Sequence, residues 1–587
     1  MNIRLAYTAL MLGCSIASLA DPYVGYIYPA GIQAGTTNRF IVGGQAILNV
    51  SGFHFSGNGL KVLSIEKVPV FVPPTGTQKK HLLKWLDGIA AGKKEEPPLP
   101  DDPHLNEWRS NSWWKVLGSL EADKLAIVEY DLYVPKNALQ STPSLRQKLI
   151  VTIAADASAT VGWTSFVAWG GNGISAPKRF EVSAAPRVRE PLYAPPHRAR
   201  PEQPEIDVRT NIAVILDGQI RPGSTDSFPL RLAGGRRVAF KVAARELQPF
   251  IGDAVPGFFN AVISLKDEHG NTVAVADDDA RFRPDPILEY TPPCDGKYRL
   301  EIHDVLYRGR ADFVYSIAVE EAKPAPSGIK ADGVVAKPGT VAVRKFTVES
   351  PGPRVLEVFA RRRGSPLDPV LTLKRTENGP VLAQWDDVTN TLFTGTVPQS
   401  ECDPVGFYDF AEAGEYVAEI SDRTRHGGKD YIWWLDVRRP APDFEVFSTR
   451  STLHLAGGRP TKTGFRLLRK DGFSGDVKLE FPDYIRAKND VITSSVDSVE
   501  SQLFYTGPRS MGIHPTNIFA TAVIDGKTVR RPVSPCDEYE QAFAWKHLVP
   551  AETFLVRCLP APKKPARKNG AKTKPKPKTK PKPKSAK

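Results

Sequence analysis

Three acidic groups in the middle of the chain are the residues best suited to bind a metal ion or to act in hydrolysis. They are the run Asp277-Asp278-Asp279, the pair Asp386-Asp387, and the separated residues Asp304 and Asp422. Carboxylates can hold Ca²⁺ in a flexible loop, act as acid and base in glycoside hydrolases, or cap backbone N–H groups in turns. None of the groups follows the twelve-residue Ca²⁺ loop pattern. Turn capping is therefore favoured, and Ca²⁺ binding stays open.

Sequence patterns of common enzyme classes do not occur in the chain. There is no His-Glu-x-x-His, no Gly-x-Ser-x-Gly and no phosphate loop. The ten histidines are scattered, and no two lie three or four residues apart, as a helical metal-ligand pair requires. His547 lies in an apolar stretch and is interpreted as structural. The sequence predicts no catalytic residues and no cofactor, and it assigns no metal site.

The C-terminal tail holds most of the net charge. The chain carries +13, and residues 563–587 contain twelve basic and no acidic residues, which leaves +1 for the rest. Alternating lysine and proline predict an extended, solvated segment. Such a segment binds anionic polymers by counterion release, although a purely solubilising role is the alternative. The candidate polyanion-binding residues are Lys572, Lys574, Lys576, Lys578, Lys580, Lys582 and Lys584.

The cysteines are compatible with disulfide bonds. Of five cysteines, Cys14 lies in the N-terminal leader, and four remain in the later chain. An even number suits an exported protein. Cys536 and Cys558 are the favoured pair because both lie in one C-terminal segment. No Cys-x-x-Cys occurs, so neither a zinc ribbon nor a redox motif is supported.

An internal repeat organises the middle of the chain. Residues 285–319 match residues 403–437 without a gap, with eleven identities in 35 positions. Tyr298 pairs with Tyr416, and Asp304 pairs with Asp422. Two copies of one module are therefore predicted at 208–322 and 327–438. Because the acidic groups recur in both copies, a single catalytic pair is disfavoured.

The repeated module has the pattern of β-strands. Residues 297–302 and 312–319 alternate polar and apolar side chains, and glycine-containing turns separate the strands. Abundant proline and glycine, 52 and 46 residues, fit many short strands better than long helices. The predicted fold class is all-β, with tandem β-sandwich domains, a short helical insertion and a disordered basic tail.

Each repeat resembles the bacterial pre-peptidase C-terminal (PPC) domain. The matching elements are a Pro-Gly turn, the Asp-Asp turns, Asp295-Gly-Lys-Tyr298, and its counterpart Ala413-Gly-Glu-Tyr416. That resemblance implies a jelly-roll-like sandwich that accompanies secreted enzymes without cleaving substrate. The second copy has Ala342 in the region where the first has Asp226, so a shared ligand site is not implied.

The flanking regions resemble Ig-like modules. Residues 28–45 look like the start of an IPT/TIG-type domain, with later strands expected at 125–134, 147–154 and 180–182. Residues 76–120 interrupt it: 79–91 are predicted to be helical, and Trp108, Trp113 and Trp114 either pack locally or stack on sugars. The expected division is a signal peptide (1–20), an Ig-like domain (21–185), a linker (186–207), two PPC-like domains (208–322, 327–438), an Ig-like C-terminal domain (441–560) and the tail (561–587).

The N-terminus predicts export. A positively charged start, an apolar run to Ile16 and small residues at 18 and 20 form a secretory signal pattern; lipidation at Cys14 is the alternative. No later run has the ~20 apolar residues of a membrane helix, so the chain is predicted to be extracellular, periplasmic or surface-located and not membrane-integral.

The predicted function is that of a non-catalytic binding or scaffold protein of the cell envelope or extracellular matrix. Its expected partner is an anionic envelope polymer or polysaccharide at the tail, and the export signal argues against intracellular nucleic acid. The alternative is an accessory polymer-binding subunit, or a degenerate relative, of a secreted hydrolase, which would then be a second partner.

Overall fold

Strands dominate the part of the chain that the structure describes. The computed structural model describes residues 21–68, 76–93, 117, 119–133, 145–191, 203–210, 213–248, 258–278, 285–322, 331–387, 403–456, 459–507, 512–541 and 545–559. Strands make up 56% and helices 7%, which confirms the predicted all-β class with tandem sandwiches and short helices. Neither described helix is long and apolar enough to cross a membrane. The predicted leader and tail lie outside the described residues.

The first sandwich has two sheets, with strand orders β1-β3-β6-β5 and β2-β9-β7-β4; β8 pairs with β7. Phe40, Phe166 and Phe180 are buried between the sheets. The nine strands are β1 Tyr23–Tyr28, β2 Gly31–Gln33, β3 Thr37–Gln45, β4 Val50–Phe55, β5 Leu60–Val68, β6 Gln147–Ala155, β7 Gly162–Gly170, β8 Gly173–Ile174 and β9 Lys178–Ser183.

Two helices lie in the insertion between β5 and β6. Helix α1, Gly76–Ala90, agrees with the predicted helix and buries Leu82 and Leu86. Residues 125–134, expected to be a strand, instead lie largely in helix α2, Ala122–Tyr133. Ile127 of α2 packs with Val68 and Ile150 on the outer face of the β1–β5 sheet. The apolar residues of α2 therefore cover this face of the sheet as a helix and do not form a further strand.

The two repeats are each built from eight strands in two sheets. The first repeat comprises β12 Val214–Gln219, β13 Asp226–Leu232, β14 Val238–Ala243, β15 Ala261–Lys266, β16 Thr272–Ala276, β17 Ile287–Tyr290, β18 Gly296–Asp304 and β19 Val314–Glu321. Two strands from the preceding segment extend it, β10 Arg187–Arg189 and β11 Ile206–Asp207. The second repeat comprises β20 Gly333–Val334, β21 Val341–Val348, β22 Gly352–Phe359, β23 Pro369–Lys374, β24 Val381–Trp385, β25 Val405–Phe410, β26 Gly414–Asp422 and β27 Ile432–Arg438.

The strand orders of the repeats correspond one to one. The first repeat has β12-β19-β14-β17 and β13-β18-β15-β16, and the second has β20-β27-β22-β25 and β21-β26-β23-β24. Tyr298 and Tyr416 occupy equivalent buried positions on β18 and β26. Gly309 and Gly427 recur because a Cβ there would meet the backbone of the Pro-Gly turn, at 2.0 Å and 2.5 Å respectively. The internal repeat of the sequence is thus a repeat of the fold.

The last sandwich follows directly after β27. Its strands order as β28-β30-β34-β32, β29-β40-β35, β33-β31-β36-β37 and the hairpin β38-β39. Phe444, Phe465 and Leu503 are fully buried in its core. The strands are β28 Asp443–Ser448, β29 Thr452–Ala456, β30 Thr461–Lys470, β31 Val477–Glu480, β32 Ile485–Lys488, β33 Val491–Ile492, β34 Ser498–Tyr505, β35 Gly512–Thr516, β36 Phe519–Ile524, β37 Lys527–Pro532, β38 Cys536–Gln541, β39 Trp545–Pro550 and β40 Phe554–Leu559.

Candidate functional site

The recurring aspartates before β17 and β25 cap a turn. The Asp403 carboxylate accepts hydrogen bonds from the backbone N–H groups of Ala360, Arg361 and Arg362, at 2.9, 2.9 and 3.1 Å. Asp285 accepts three equivalent bonds from residues 244–246, each at 2.9 Å. These carboxylates satisfy buried backbone donors.

Asp304 and Asp422, which the sequence offered as Ca²⁺ ligands or turn residues, also hold turns. Asp304 accepts from the backbone N–H groups of Asn260, Leu306 and Arg308, at 2.9 to 3.1 Å. Asp422 accepts from the N–H groups of residues 368, 424 and 426, at 2.9 to 3.0 Å. Side-chain hydrogen bonds from Arg308 to Asp304 and from Thr424 to Asp422, followed by these backbone bonds, hold the pKa of both carboxyls below its ordinary value despite their burial. The geometry is that of turn capping.

A different group of carboxylates converges in the second repeat. Asp368 precedes β23, Asp386 and Asp387 follow β24, and the antiparallel pairing of these strands brings the three residues to one end of the sheet. One oxygen of each lies within 4.8 Å of the others. The sequence singled out Asp386 and Asp387 but missed Asp368, and the first repeat has Asn260 in its place.

Two arginines neutralise part of this carboxylate cluster, Asp368, Asp386 and Asp387. Arg423 lies 2.7 Å from Asp386 and 3.4 Å from Asp387, and Arg361 lies 3.4 Å from Asp368. One oxygen of each carboxylate accepts no hydrogen bond from a described residue. Burial raises the pKa of Asp368 and of Asp387 above the ordinary value, and the neighbouring carboxylates add to this shift although Arg361 and Arg423 oppose it. Three such oxygens would supply part of the six to eight that Ca²⁺ takes.

The other residues singled out from the sequence do not join this cluster. The tail lysines, from Lys572 to Lys584, and the tryptophans at 108, 113 and 114 lie outside the described residues. His547 is buried and stacks on Tyr539, with ring centroids 5.9 Å apart.

The predicted Cys536–Cys558 disulfide is not formed. Both are buried free cysteines, and they belong to different sheets, Cys536 to the β38–β39 hairpin and Cys558 to the β29–β40–β35 sheet. Burial raises the pKa of Cys536 to about 12 and that of Cys558 to about 11, so both thiols stay protonated at neutral pH. Proximity in sequence did not place the two strands side by side.

A buried lysine joins three modules. Lys178 of β9 donates to Gln248 of the first repeat at 2.7 Å, and its ammonium lies 5.7 Å from the ring centroid of Tyr539 in the last sandwich. Burial lowers the pKa of Lys178 to about 8, although Asp312 and Asp537 oppose this shift. Sequence reasoning missed this junction because its partners lie in distant parts of the chain.

Further polar contacts join the same modules. Arg187 of β10 bridges Glu181 of the first sandwich, at 2.8 Å, and Asp217 of the first repeat, at 2.6 Å. Arg557 of the last sandwich donates to the carbonyl of Gly173 at 3.1 Å. A small pocket of about 40 Å³ also lies between the first sandwich and the first repeat, lined in part by Tyr28. The first sandwich is thus in contact with both the first repeat and the last sandwich.

Comparisons with known proteins do not add a family. No protein-family model and no curated protein matches the chain. The N-terminal four Ig domains of Dscam1 isoform 6.44 align with 12% identity over 65% of this chain and 83% of that chain, with a TM-score of 0.11. The ICAM-5 D1–D4 ectodomain fragment aligns with 10% identity over 91% and 98%, also with a TM-score of 0.11. The resemblance of the two repeats to PPC domains stays a prediction.

Proposed function

We propose that the chain is an exported, non-catalytic scaffold or binding protein of the cell envelope or extracellular matrix. The observation that carries this proposal is the junction at Lys178, where side chains from three sandwiches meet. A buried, hydrogen-bonded contact of this kind holds modules at fixed positions, as a scaffold requires. The carboxylate cluster of the second repeat is partly neutralised by arginines, so it supports an acid–base role poorly.

The proposed ligand is an anionic polymer that binds the lysine-rich tail. Lysines on flexible stems bind phosphate or sulfate groups as point charges with little geometric selection. Such binding falls steeply with salt because it depends on counterion release. The sandwiches would then position the tail, and they need no ligand pocket of their own.

The test compares the mature chain, residues 21–587, with a truncated chain ending at residue 562. Both are applied to heparin-type resin and to a panel of envelope polysaccharides at about 0.15 M salt, where the Debye length is about 8 Å. We expect the full mature chain to bind and the truncated chain to elute, with the same melting temperature for both. Equal retention would overturn the assignment to the tail, and polymer cleavage by the purified chain would overturn the non-catalytic proposal.

A further inference from the structure

Lys178 and Gln248 bring an amine and a carboxamide together in a buried site. Lys178 begins β9 of the first sandwich, and Gln248 lies in the turn after β14 of the first repeat. The two residues are only 5% and 4% exposed, and Nζ of Lys178 lies 2.7 Å from Oε1 of Gln248. Because a C=O bond is about 1.2 Å long, Nζ lies within about 4 Å of the carbonyl carbon Cδ. This separation is close to the distance of about 3–3.5 Å from which a nucleophile attacks.

The turn that carries Gln248 is held in place by two sets of hydrogen bonds. Asp285 accepts from the backbone N–H groups of residues 244–246, each at 2.9 Å. The side-chain nitrogen of Gln248 donates to the carbonyl of Gly25 in β1. The carboxamide is therefore oriented with its oxygen toward Lys178 and its nitrogen toward β1.

The surroundings of Lys178 increase the share of neutral amine. Its Nζ lies 5.9 Å and 5.7 Å from the ring centroids of Tyr23 and Tyr539. Burial lowers the pKa of Lys178 to about 8, although the charges of Asp312 and Asp537 oppose this shift. At pH 7 about one molecule in ten therefore carries the neutral, nucleophilic form. Removal of a lysine from water activates it as a nucleophile in the same way in enzymes.

We propose that Lys178 and Gln248 condense to an isopeptide bond, a covalent cross-link between the first sandwich and the first repeat. The Nζ–Cδ bond forms and the Cδ–Nε2 bond breaks. One proton of the amine passes to the leaving nitrogen, which departs as ammonia, so no oxidant, reductant or cofactor is consumed. Groups held together in this way react with effective concentrations of about 10⁵–10⁸ M. The cross-link is independent of polymer binding by the tail, and either can fail without the other.

The second repeat lacks one of the two reacting groups. Residues 360–362 are capped by an aspartate in the same way as residues 244–246, and by this correspondence Gly364 stands in the place of Gln248. Glycine offers no carboxamide. The proposed cross-link is therefore specific to the repeat that contacts the first sandwich.

The first test is the mass of the mature protein, residues 21–587, folded, incubated at about pH 8, near the pKa of Lys178, and then denatured and reduced. We expect a mass below that of the sequence by one ammonia molecule. Trypsin does not cleave after an acylated lysine, so digestion should leave a branched peptide that joins Lys178 to Gln248. A mass equal to that of the sequence overturns the proposal. An ammonia loss that maps to another site, such as the Asn58-Gly59 step, also overturns it.

The second test separates a covalent bond from a hydrogen bond. Lys178→Met and Gln248→Met each remove one reacting group and keep a side chain of similar volume, and circular dichroism establishes that each folds. A specific protease site is placed within residues 192–202, between the two reacting residues in sequence. After cleavage, the parent should run as one band on a denaturing gel, and each variant should run as two. Two bands from the parent, or one band from a variant, overturn the proposal, and either variant suffices if the other does not fold.

Discussion

The two repeats share their framework and differ at their surfaces. Both form the same ion pair on equivalent strands, Lys266–Glu301 and Lys374–Glu419, and both have a bulge at the equivalent lysine. The turn after Asp304 exposes Val305, Leu306 and Tyr307, whereas its counterpart carries arginine, threonine and arginine. The hydrogen bonds and ion pairs that stabilise turns and sheets recur in both repeats. Differences in binding should therefore arise at strand edges and turn tips.

Removing Arg187 should have the largest effect on this comparison, because Arg187 is buried where it joins the first repeat to its neighbour, whereas Arg438, which joins the second repeat to Asp471 of the last sandwich, is 34% exposed. The guanidinium is nearly buried between Glu181 and Asp217, so Arg187→Ala leaves two carboxylates without their partner. We expect the free energy of unfolding to fall by about 3–5 kcal/mol, measured by urea denaturation. The matched control is Arg344→Ala, since Arg344 lies 4.0 Å from Asp332, the counterpart of Asp217, at an exposed position. It should cost less than about 1 kcal/mol, and equal losses would contradict the structural difference.

Replacing the capping aspartates should show that the two repeats share three backbone hydrogen bonds and differ in one further contact of the aspartate. Asp403→Asn and Asp285→Asn each weaken three backbone hydrogen bonds, and each should cost about 1–3 kcal/mol. Asp403 also contacts the Arg362 guanidinium at 3.0 Å, whereas Glu246 holds the corresponding position beside Asp285. The cost should therefore be greater at 403. Hydrogen exchange of amides 360–362 and 244–246 measures the loss of protection in the two variants. A greater loss for Asp285→Asn than for Asp403→Asn would contradict this prediction.

The pH dependence of the first repeat should differ from that of the second through Asp226. Burial, followed by the charge of Glu190, raises the pKa of Asp226 well above its ordinary value. A carboxyl with a raised pKa favours the folded state at low pH, and this contribution is lost as pH rises through the raised pKa. Ala342 stands at this position in the second repeat, so the effect is absent there. Asp226→Asn should flatten the loss of stability toward alkaline pH by about 1 kcal/mol, and an unchanged calorimetric pH profile would count against it.

Local patterns predicted the framework well. Alternating strands and turn aspartates depend on residues that are close in sequence. The same local patterns recur 118 residues later, and this recurrence identified the repeats and their shared aspartates. Helix α2 was mispredicted because its apolar run covers a sheet face that only the tertiary fold creates. Asp368 and the Lys178 junction were missed because their neighbours come from other strands or other modules. The position of such sites depends on which distant strands and modules pack together, and residue types alone do not indicate it.

The smallest expected effect concerns the carboxylate cluster, which the first repeat lacks because Asn260 replaces Asp368. The raised pKa values of Asp368 and Asp387 mean that the cluster's contribution to stability is lost as pH rises through them. At pH 7 Asp368→Asn should therefore raise stability, by less than about 1 kcal/mol because Arg361 also loses its partner. Its backbone N–H still reaches Asp422, so the turn is kept. Calorimetry in chelator should show a gain that is larger at pH 7 than at pH 5.

Adding Ca²⁺ to the same samples decides between the two interpretations of these aspartates. Arg361 and Arg423 already contact the three carboxylates, so turn and ion-pair chemistry predicts a shift in melting temperature within the noise of the measurement for the parent protein. Any ligand that binds only the folded state stabilises it according to its concentration and affinity. A Ca²⁺-dependent rise of several degrees that disappears in Asp368→Asn would identify the cluster as a cation site. The second repeat would then differ from the first in ligand chemistry.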